Sequence, residues 1–366
     1  MKITVNTKEL SNALSLVGRG IDTKSSIPIL VGVKLETREN LLHLTGSNLN
    51  LNIETNISAE VYKNGSVVVD FRRLIEIIKK MPNDSVTIVT KDSKLTIISG
   101  KIKIDIKYVE STDYPEIPVV KSNFSFGIKS GDFKELIDSV IFSIAKEDTR
   151  PILTGVLFEC INNRLKFVAV DGYRMATKET SVICEDFLAV VPGNTLIELT
   201  RILSNLSSSD TDVLVSIGND KVSFKFDSVS IVSKLMEGNF INYKSIIRED
   251  TNTNLVIDRL DFLNMLDRIS LVCTDERLIR LSIDAKENKL HSKGVSHFGV
   301  IEEELDCEVE GDGIEIGFNT KYLADILKSL NDEKITISLI NSVSPAIIKE
   351  ENNYLYLILP VRMVNN

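Results

Sequence analysis

The feature that most constrains the fold is an amphipathic helical pattern that recurs six times along the 366 residues, at intervals of about sixty residues. In each copy apolar residues stand at positions i, i+3, i+4 and i+7, which places them on one face of a helix. So regular a spacing over so long a repeat indicates duplication of a domain-sized unit rather than a solenoid of short repeats. The copies begin at Leu10, Leu74, Phe133, Leu196, Phe262 and Leu323.

Strand-like segments flank every predicted helix. Alternating segments rich in β-branched residues follow the helices, for example 86–99, 213–226 and 335–349, and they predict β-hairpins. Tight turns are expected at 91–94 and 218–220. The repeating unit is therefore strand, turn, helix and then strands, and antiparallel sheet should dominate. The short strand-like runs before the helices are 3–5, 67–69, 124–128, 189–191, 255–257 and 314–316.

The six units group in pairs, because the segments 3–14, 126–137 and 255–266 can be laid over one another. Three α+β domains of about 120 residues therefore fit the chain, each a duplicated half, in the usual size range of a single domain. Turn residues collect in 111–123 and 237–254, which we interpret as linkers. The predicted domains are 1–122, 123–249 and 250–366.

Composition predicts a cytoplasmic globular protein. The chain is 43% hydrophobic and 26% charged, no apolar run approaches the length of a membrane span, and no basic-then-apolar leader stands at the N-terminus. We therefore expect no contact with a membrane.

The four cysteines, Cys160, Cys184, Cys273 and Cys307, are far apart in the sequence. Their spacing excludes the short-spaced zinc signatures and provides no disulfide framework. We expect all four to be buried as small hydrophobic side chains.

Signatures of catalysis are missing from the sequence. The three histidines form no HExxH pair, and there is no phosphate-binding GxxxxGK[ST] loop, GxSxG elbow or GxGxxG turn after a strand. Carboxylates such as Asp171, Asp275 and Glu276 could be paired into an acid–base site, but a solvated surface role is expected for each. We predict that the protein is not an enzyme and that it has no cofactor; the sequence identifies no metal site and leaves open whether an ion binds at the surface.

The charge is unevenly distributed between helices and the rest of the chain. The chain as a whole carries −9, whereas the six helical segments together carry +4. An acidic body with a basic helical surface suggests a polyanion at that surface. The charges could instead serve only to keep the outer helix faces hydrated, and the charge pattern leaves both readings open. The basic residues on or beside the helices are Arg72, Arg73, Lys79, Lys80, Arg201, Arg268, Lys321 and Lys328.

An ordered series of short motifs along the whole chain resembles one family, the bacterial replicative sliding clamps, which are the beta subunits of the DNA polymerase III holoenzyme. No single motif is specific, but the series in this order and spacing is. The motifs are SSIPIL (25–30), LTGSNLNL (44–51), TDYPEI (112–117), VAVDGYRMA (168–176), SKLMEGNFINY (233–243), EIGFNTKYL (315–323), NSVSPAII (341–348) and LPVRM (359–363).

The resemblance implies three similar DNA-clamp domains that form half of a head-to-tail dimeric ring, with helices inside and sheets outside. Such a ring is a processivity factor: it encircles duplex DNA without reading its sequence and tethers the polymerase topologically. The implied partners are duplex DNA, the replicative DNA polymerase, the clamp loader, other proteins with a clamp-binding motif and a second copy of the chain.

The resemblance also implies DNA-facing residues. Gly193 and Asn194 follow Pro192 where family members often have basic residues, which puts a phosphate contact there in doubt. The implied DNA-facing residues are Lys24, Arg72, Lys101, Lys103, Lys146, Arg150 and Arg201.

A hydrophobic groove that captures partner segments is implied between the second and third domains. Ser245 stands where relatives often carry arginine, and Val364, Asn365 and Asn366 extend past the common end, so the preferred partner motif should differ from that of better-known clamps. Residues matching the groove wall are Leu153, Val170, Gly172, Tyr173, Arg174, Met175, Ile241, Ile246, Tyr322, Val343, Pro345, Leu357, Leu359, Pro360, Val361, Arg362 and Met363.

For the dimer seam the resemblance points to Ile104 and Ile106 on an edge strand and to Leu271 and Val272 in the third domain. A polar change at Leu271 should then yield monomers with intact secondary structure.

A different class of function remains as the alternative: a peptide-binding scaffold with the same duplicated fold that never encircles DNA. In such a scaffold, charge reversal at Arg72, Arg73 and Arg201 should change nothing. An enzyme with an active site spread over the domain junctions is the least favoured reading.

Overall fold

The structure is a computed structural model, and six helices and twenty-six strands are assigned within the residues that it describes. Their order repeats the same unit, one strand, one helix and three strands, six times, with two additional short strands. This order confirms the predicted duplication. The described residues are 1–146, 150–248, 250–273, 277–350 and 353–363.

The elements fall into three consecutive series. The first is β1 (Lys2–Asn6), α1 (Thr7–Val17), β2 (Gly32–Arg38), β3 (Leu41–Ser47), β4 (Leu51–Ser58), β5 (Glu60–Lys63), β6 (Ser66–Asp70), α2 (Phe71–Ile78), β7 (Ser85–Lys91), β8 (Lys94–Ser99) and β9 (Ile102–Glu110). The second is β10 (Phe124–Lys129), α3 (Ser130–Asp138), β11 (Gly155–Ile161), β12 (Arg164–Val170), β13 (Arg174–Ser181), β14 (Phe187–Pro192), α4 (Gly193–Leu203), β15 (Asp212–Ile217), β16 (Lys221–Phe226) and β17 (Val229–Lys234). The third is β18 (Thr253–Asp258), α5 (Arg259–Val272), β19 (Leu278–Asp284), β20 (Lys289–Ser296), β21 (Gly299–Asp306), β22 (Glu308–Gly311), β23 (Ile314–Asn319), α6 (Thr320–Ser329), β24 (Lys334–Leu339), β25 (Ala346–Glu350) and β26 (Tyr354–Ile358).

Four helices begin at an Asn or Asp side chain that ends the preceding strand. Asn6 Oδ1 accepts the backbone N–H groups of Lys8 at 2.9 Å and Glu9 at 3.0 Å. Asp70, Asp258 and Asn319 cap α2, α5 and α6 in the same way. A capping side chain satisfies an amide that has no partner within the helix, so the strand-to-helix turn is encoded locally in these four units.

The apolar faces of the helices are buried as their spacing predicts. Leu10 and Leu14 of α1 and Phe262 and Leu266 of α5 have no exposed surface. Val140 continues the pattern of α3 beyond the end of that helix and is still fully buried. None of the described helices is long and apolar enough to cross a lipid bilayer.

By contacts within the chain, the described residues form two compact units. The first comprises Met1–Asp132 and Ile197–Leu235. It contains one thirteen-stranded sheet, in the order β10-β15-β16-β17-β4-β3-β2-β6-β9-β8-β7-β1-β5. The sheet continues from the first series into the second because β17 pairs antiparallel with β4, where Ile231 lies opposite Ile53 and both are buried.

The second unit comprises Phe133–Leu196 and Met236–Asn366. It contains a nine-stranded sheet, in the order β14-β11-β12-β13-β26-β25-β24-β18-β22, and a four-stranded sheet, in the order β21-β20-β19-β23. Strand β13 pairs antiparallel with β26 and places Met175 opposite Leu357. Pairing across the series again makes one sheet from strands far apart in the sequence.

The two predicted linkers have little regular structure, but each is anchored by a buried tyrosine. Tyr114 is 4% exposed, and its hydroxyl donates to the carbonyl of Thr45 at 3.2 Å. Tyr243 is equally buried, and its hydroxyl donates to Glu159 Oε2 at 2.5 Å. Burial raises the pKa of both phenols, so both remain neutral donors.

The cysteine prediction is half right. Cys160 and Cys273 are buried, whereas Cys184 and Cys307 are only half buried, because they lie in the connections after β13 and β21 rather than in the core. All four are free thiols. Burial, together with the neighbouring Cys184 thiol, raises the pKa of Cys160 to about 11.

Candidate functional site

A cavity of about 720 Å³ lies in the second unit, at the turn between β12 and β13 and the start of α6. Five residues of the predicted groove line it: Leu153, Gly172, Tyr173, Arg174 and Tyr322. The other lining residues are Ile144, Ala145, Lys146, Arg150, Asp171, Arg277, Asn319 and Lys321.

The turn at 171–173 is organised by Asp171. Its Oδ1 accepts the backbone N–H groups of Tyr173 at 2.9 Å and Arg174 at 3.0 Å. Gly172 has φ +89°, a conformation that side chains disfavour, so glycine suits this position. The turn presents the Tyr173 side chain, which is 61% exposed, at the cavity.

Arg174 is a buried cation that joins three parts of the second unit. Its side chain is 3% exposed; Nε lies 3.0 Å from Asp171 Oδ2, and one terminal nitrogen lies 2.7 Å from Asp325 Oδ2. Another terminal nitrogen donates to the backbone carbonyl of Phe142. With two carboxylates and a carbonyl as partners, the guanidinium is compensated despite its burial.

Two tyrosine rings pack next to the Arg174 guanidinium. The Arg174 guanidinium carbon lies 4.4 Å from the centre of the Tyr322 ring, and Tyr322 stacks on Tyr173 with ring centres 6.1 Å apart. Burial and the charge of Asp171 raise the pKa of Tyr322. The cavity wall is therefore a stack of two tyrosines above a fixed arginine, a surface suited to apolar and aromatic side chains.

Beneath the turn lies a cluster of buried apolar residues. It includes four residues predicted for the groove wall, Leu153, Val170, Met175 and Leu357, and Ile241 packs against it from the linker. The four side chains form the floor rather than the surface of the site, since they are at most 5% exposed. The complete cluster is Leu153, Leu157, Val168, Val170, Met175, Val190, Tyr243 and Leu357.

The chain after β26 runs beside the same turn. The backbone N–H of Leu359 donates to the carbonyl of Tyr173 at 2.9 Å, and that of Val361 donates to the carbonyl of Gly317 at 2.8 Å. Leu359 and Val361 are each 39% exposed. Arg362 is exposed, and Pro360 and Met363 are half buried.

The remaining predicted groove residues lie apart from the cavity lining. Val343 is 72% exposed in the connection between β24 and β25, where Pro345 is half buried. Ile246 is 40% exposed at the end of the short 3₁₀ turn Tyr243–Ile246.

Two residues predicted to face DNA, Lys146 and Arg150, line the cavity together with Arg277, which sequence reasoning did not single out. It also missed Asn319, and it named Lys321 only as a basic helix residue, although both line the cavity and stand within the motif at 315–323 that supported the resemblance. Asp171 was considered only as an acid–base candidate, but it holds the turn and pairs with Arg174. The other two carboxylates of that hypothesis, Asp275 and Glu276, lie outside the described residues, as do Val364, Asn365 and Asn366.

The other predicted DNA-facing residues are exposed in the first unit. The Arg72 guanidinium donates to Thr23 Oγ1 at 2.6 Å, which brings it close to the loop that carries Lys24. Arg201 forms an ion pair with Glu198 on α4, and Glu198 also pairs with Arg19 at 2.9 Å. Lys101 and Lys103 lie just before and within β9.

The predicted seam residues lie at two exposed edges. Ile104 and Ile106 are half buried on β9, and Leu271 is 78% exposed at the end of α5 beside the half-buried Val272. In the described part of the chain, residues 102–107 of β9 pair with β8 alone, and β21 pairs with β20 alone. Each strand therefore has backbone groups free along one edge.

Comparison with known proteins places these features in one family. Profiles of the DNA polymerase III beta subunit match in sequence: the N-terminal domain over residues 1–118, the central domain over 127–242 and the C-terminal domain over 244–362. The beta sliding clamp of Bacillus subtilis is 31% identical over 379 residues, covering 99% of this chain and all of the relative. That of Synechococcus elongatus is 29% identical over 374 residues, with the same coverage of both chains.

Similar solved structures belong to the same family. A putative DNA polymerase III beta subunit from Eubacterium rectale superimposes with a TM-score of 0.95 at 30% identity, covering 99% of this chain and 100% of that one. The Bacillus subtilis DNA polymerase sliding clamp also gives 0.95, at 28% identity and full coverage of both chains. A chain with six such units in three consecutive clamp domains is a protein of the sliding-clamp class. Within that class it belongs to the DNA polymerase III beta subunit family.

Proposed function

We propose that two copies of this chain close head to tail into a ring around duplex DNA and hold the replicative polymerase on its template. The observation that carries the proposal is the match to three consecutive clamp domains over nearly the whole chain. The ring is a non-catalytic accessory of the polymerase and works in the cytoplasm, where bacterial DNA is replicated. A clamp loader opens it, and other clamp-motif proteins compete for the groove.

The chemistry of β9 and β21 supports the head-to-tail seam. On β9, Ile104 and Ile106 lie on one face, and Lys103, Asp105 and Lys107 lie on the other. On β21, Ile301, Glu303 and Leu305 lie on one face, and the acidic side chains Glu302, Glu304 and Asp306 lie on the other. A second copy that pairs these edges would satisfy the free backbone groups and match apolar with apolar and basic with acidic side chains.

The same ring accounts for the charge distribution. Basic side chains such as Lys24 and Arg72 attract phosphates of any sequence, and the net charge of −9 discourages DNA from binding elsewhere on the protein. Weak contacts that carry no base information permit sliding.

The groove completes the proposal. A partner segment with apolar side chains would lie on the stack of Tyr173 and Tyr322, above the buried floor that contains Met175. Leu359 and Val361, in the segment that follows β26, are partly exposed apolar residues and offer further contact to the partner segment.

The deciding experiment loads the protein on circular duplex DNA with its cognate clamp loader and measures retention before and after one double-strand cut. We expect retention on the circle and release from the linear form, because a ring slides off a free end. Persistent binding after the cut would mean direct affinity and contradict topological linkage. No retention on either form, with a loader proven active on another clamp, would favour the peptide-binding scaffold that never encircles DNA.

A further inference from the structure

Three potential metal ligands meet at the hairpin between β19 and β20, away from the groove described above. Asp284 is the last residue of β19, Glu287 lies in the turn, and His291 is the third residue of β20. One ligand atom from each lies within 4.8 Å of the other two. None of these residues has a part in the clamp function proposed above.

The hairpin itself positions the two carboxylates. Asp284 Oδ1 accepts the backbone N–H groups of Lys286 at 2.8 Å and Glu287 at 3.1 Å, which fixes the side chain across the turn. Neither bond uses Oδ2. The turn closes through Asn288 at φ 53°.

The imidazole is oriented by a fourth residue, from the neighbouring strand. His291 lies opposite Glu304 of β21, and its Nδ1 is 3.3 Å from Glu304 Oε2. In the neutral tautomer with the Nδ1–H group facing this carboxylate, Nε2 carries the lone pair that a metal ion would use. Histidines that bind metals in proteins are typically oriented by a carboxylate in this way.

The local charge favours a cation. Lys289 lies opposite Asp284 in the strand pairing, and its ammonium group lies 2.5 Å from Glu304 Oε1 and 2.9 Å from Asp306 Oδ1, so its charge is already compensated. Counting side chains, four carboxylates face two ammonium groups, a balance of −2 before any ligand binds. The groups counted are Asp284, Glu287, Glu304, Asp306, Lys286 and Lys289.

We propose that Asp284, Glu287 and His291 form a surface site for a divalent transition-metal ion. One imidazole and two carboxylates make a donor set that suits Zn²⁺, with water in the remaining position. The ion would join the end of β19, the turn and β20, and so brace the hairpin on which the edge strand β21 pairs.

The sequence did not predict this site, because the spacing of its residues, Asp-x2-Glu-x3-His, matches no known metal-binding signature. In the antiparallel register Asp284 pairs with Lys289, and His291 lies two residues further along the same face of β20. Strand pairing, rather than helical spacing, therefore brings the three side chains together.

The test is a competition titration of the full-length protein with ZnCl₂ against a chromophoric chelator at pH 7.5. We expect one Zn²⁺ per chain. His291→Ala and Glu287→Gln should each weaken binding at least about 10-fold. Glu304→Gln, which removes the carboxylate that contacts both His291 and Lys289, should weaken it about 10-fold with unchanged stoichiometry. His297→Ala is the matched control, because His297 is near His291 in sequence but outside the cluster. This variant should bind Zn²⁺ with the affinity of the wild type.

Cys307→Ser is a second control, because Cys307 is a half-buried cysteine close to the site. It follows β21, and its backbone N–H donates to the carbonyl of Asn288, in the β19–β20 turn, at 3.1 Å. Wild-type affinity in this variant excludes capture by the thiol. Zn²⁺ should also raise the melting temperature of the wild type, and at the same concentration it should raise that of His291→Ala by less.

Three results would overturn the proposal: no Zn²⁺ bound at millimolar metal, unchanged affinity in His291→Ala and Glu287→Gln, or loss of binding in Cys307→Ser. Circular dichroism spectra and melting temperatures of the metal-free variants, equal to those of the metal-free wild type, would show that the variants are folded. No arm of the experiment uses DNA, and His291→Ala and Glu287→Gln change no residue assigned to the seam, so the outcome of these two arms is independent of the sliding-clamp proposal.

Discussion

Two adjacent residues of the proposed groove, Tyr173 and Arg174, have different roles: the Tyr173 side chain is a surface that a partner can contact, and the buried Arg174 side chain supports the site from below. Tyr173 is 61% exposed at the tip of the turn, whereas Arg174 is 4% exposed and bonded to two carboxylates. The motif that contains them shows both as groove residues, but nothing local in the sequence says which one a partner can touch. That distinction depends on Asp325, which lies 151 positions further along the chain.

Truncating these two residues should therefore have different effects. Tyr173→Ala should weaken binding of a peptide from the clamp-binding segment of the cognate polymerase about 10-fold and change the free energy of unfolding by less than about 0.5 kcal/mol. Arg174→Ala should lower the free energy of unfolding by about 3 kcal/mol, because Asp171 and Asp325 lose their buried partner. Fluorescence anisotropy and urea denaturation measure the two effects. Equal loss of stability in both variants would contradict this division.

Tyr356 should make stability depend on alkaline pH. Its ring is 1% exposed on β26, and burial, opposed in part by hydrogen bonds with Ser329 and Ser139, raises its pKa to about 12. The unfolded phenol titrates near pH 10. The unfolded chain therefore loses this proton first, and the stabilisation is complete below pH 10 and falls as the pH rises towards 12.

Tyr356→Phe removes this titration. Between pH 9 and pH 11 the wild type should lose roughly 1 kcal/mol more of its free energy of unfolding than the variant, as measured by urea denaturation at each pH. Tyr173→Phe, at a position 61% exposed, is the matched control and should follow the wild type. Parallel pH curves for wild type and Tyr356→Phe would show that the buried phenol has no such role.

At the scale of elements, the helices and strands are the part of the fold that local sequence specifies. The period of 3.6 residues and the Asn or Asp caps, as at Asn6 and Asp258, place helices within one unit of chain. The β7–β8 turn follows in the same way, since Asp92 and Ser93 adopt the positive φ values that a two-residue hairpin requires. Which strands pair beyond a hairpin is not local, and β4 with β17 or β13 with β26 could not be read from the pattern.

The edge elements predict how the dimer can be broken. Leu271→Asp places a charge at the exposed end of α5, within the proposed seam, and should convert dimers into monomers with unchanged circular dichroism. Leu260→Asp is a matched control, because it changes a leucine that is 54% exposed near the other end of the same helix. Sedimentation velocity distinguishes the states. A dimeric Leu271→Asp variant, or loss of helix signal in it, would count against the seam.

At the scale of the whole molecule, net charge and local charge have opposite signs. The chain carries −9, yet the helical segments carry +4, and this contrast is what a ring that slides on a polyanion requires. The same contrast in a scaffold that never meets DNA would have no consequence for function.

Reversing the charge of Arg72, Arg73 and Arg201 should therefore reduce retention on circular DNA after loading. The deficit should shrink as salt rises, because screening already weakens phosphate contacts in the wild type. The control reverses Lys225 and Lys349, which are exposed on strands, and should be retained like the wild type. Melting temperatures verify folding. Full retention of the triple variant at low salt would remove the electrostatic argument for an encircled duplex.

The sequence by itself determined the repeating unit, its six helices with their buried faces, and the family to which the chain belongs. These features arise from period, capping and turn chemistry, which act over a few residues, and from motifs preserved in order. Only the tertiary structure decided that Arg174 is a support and Tyr173 a surface, that Lys146 and Arg150 line the groove cavity, and that Asp284, Glu287 and His291 converge. Burial, ion pairing and ligand geometry depend on strands and loops that meet in space, and a one-dimensional pattern does not contain those distances.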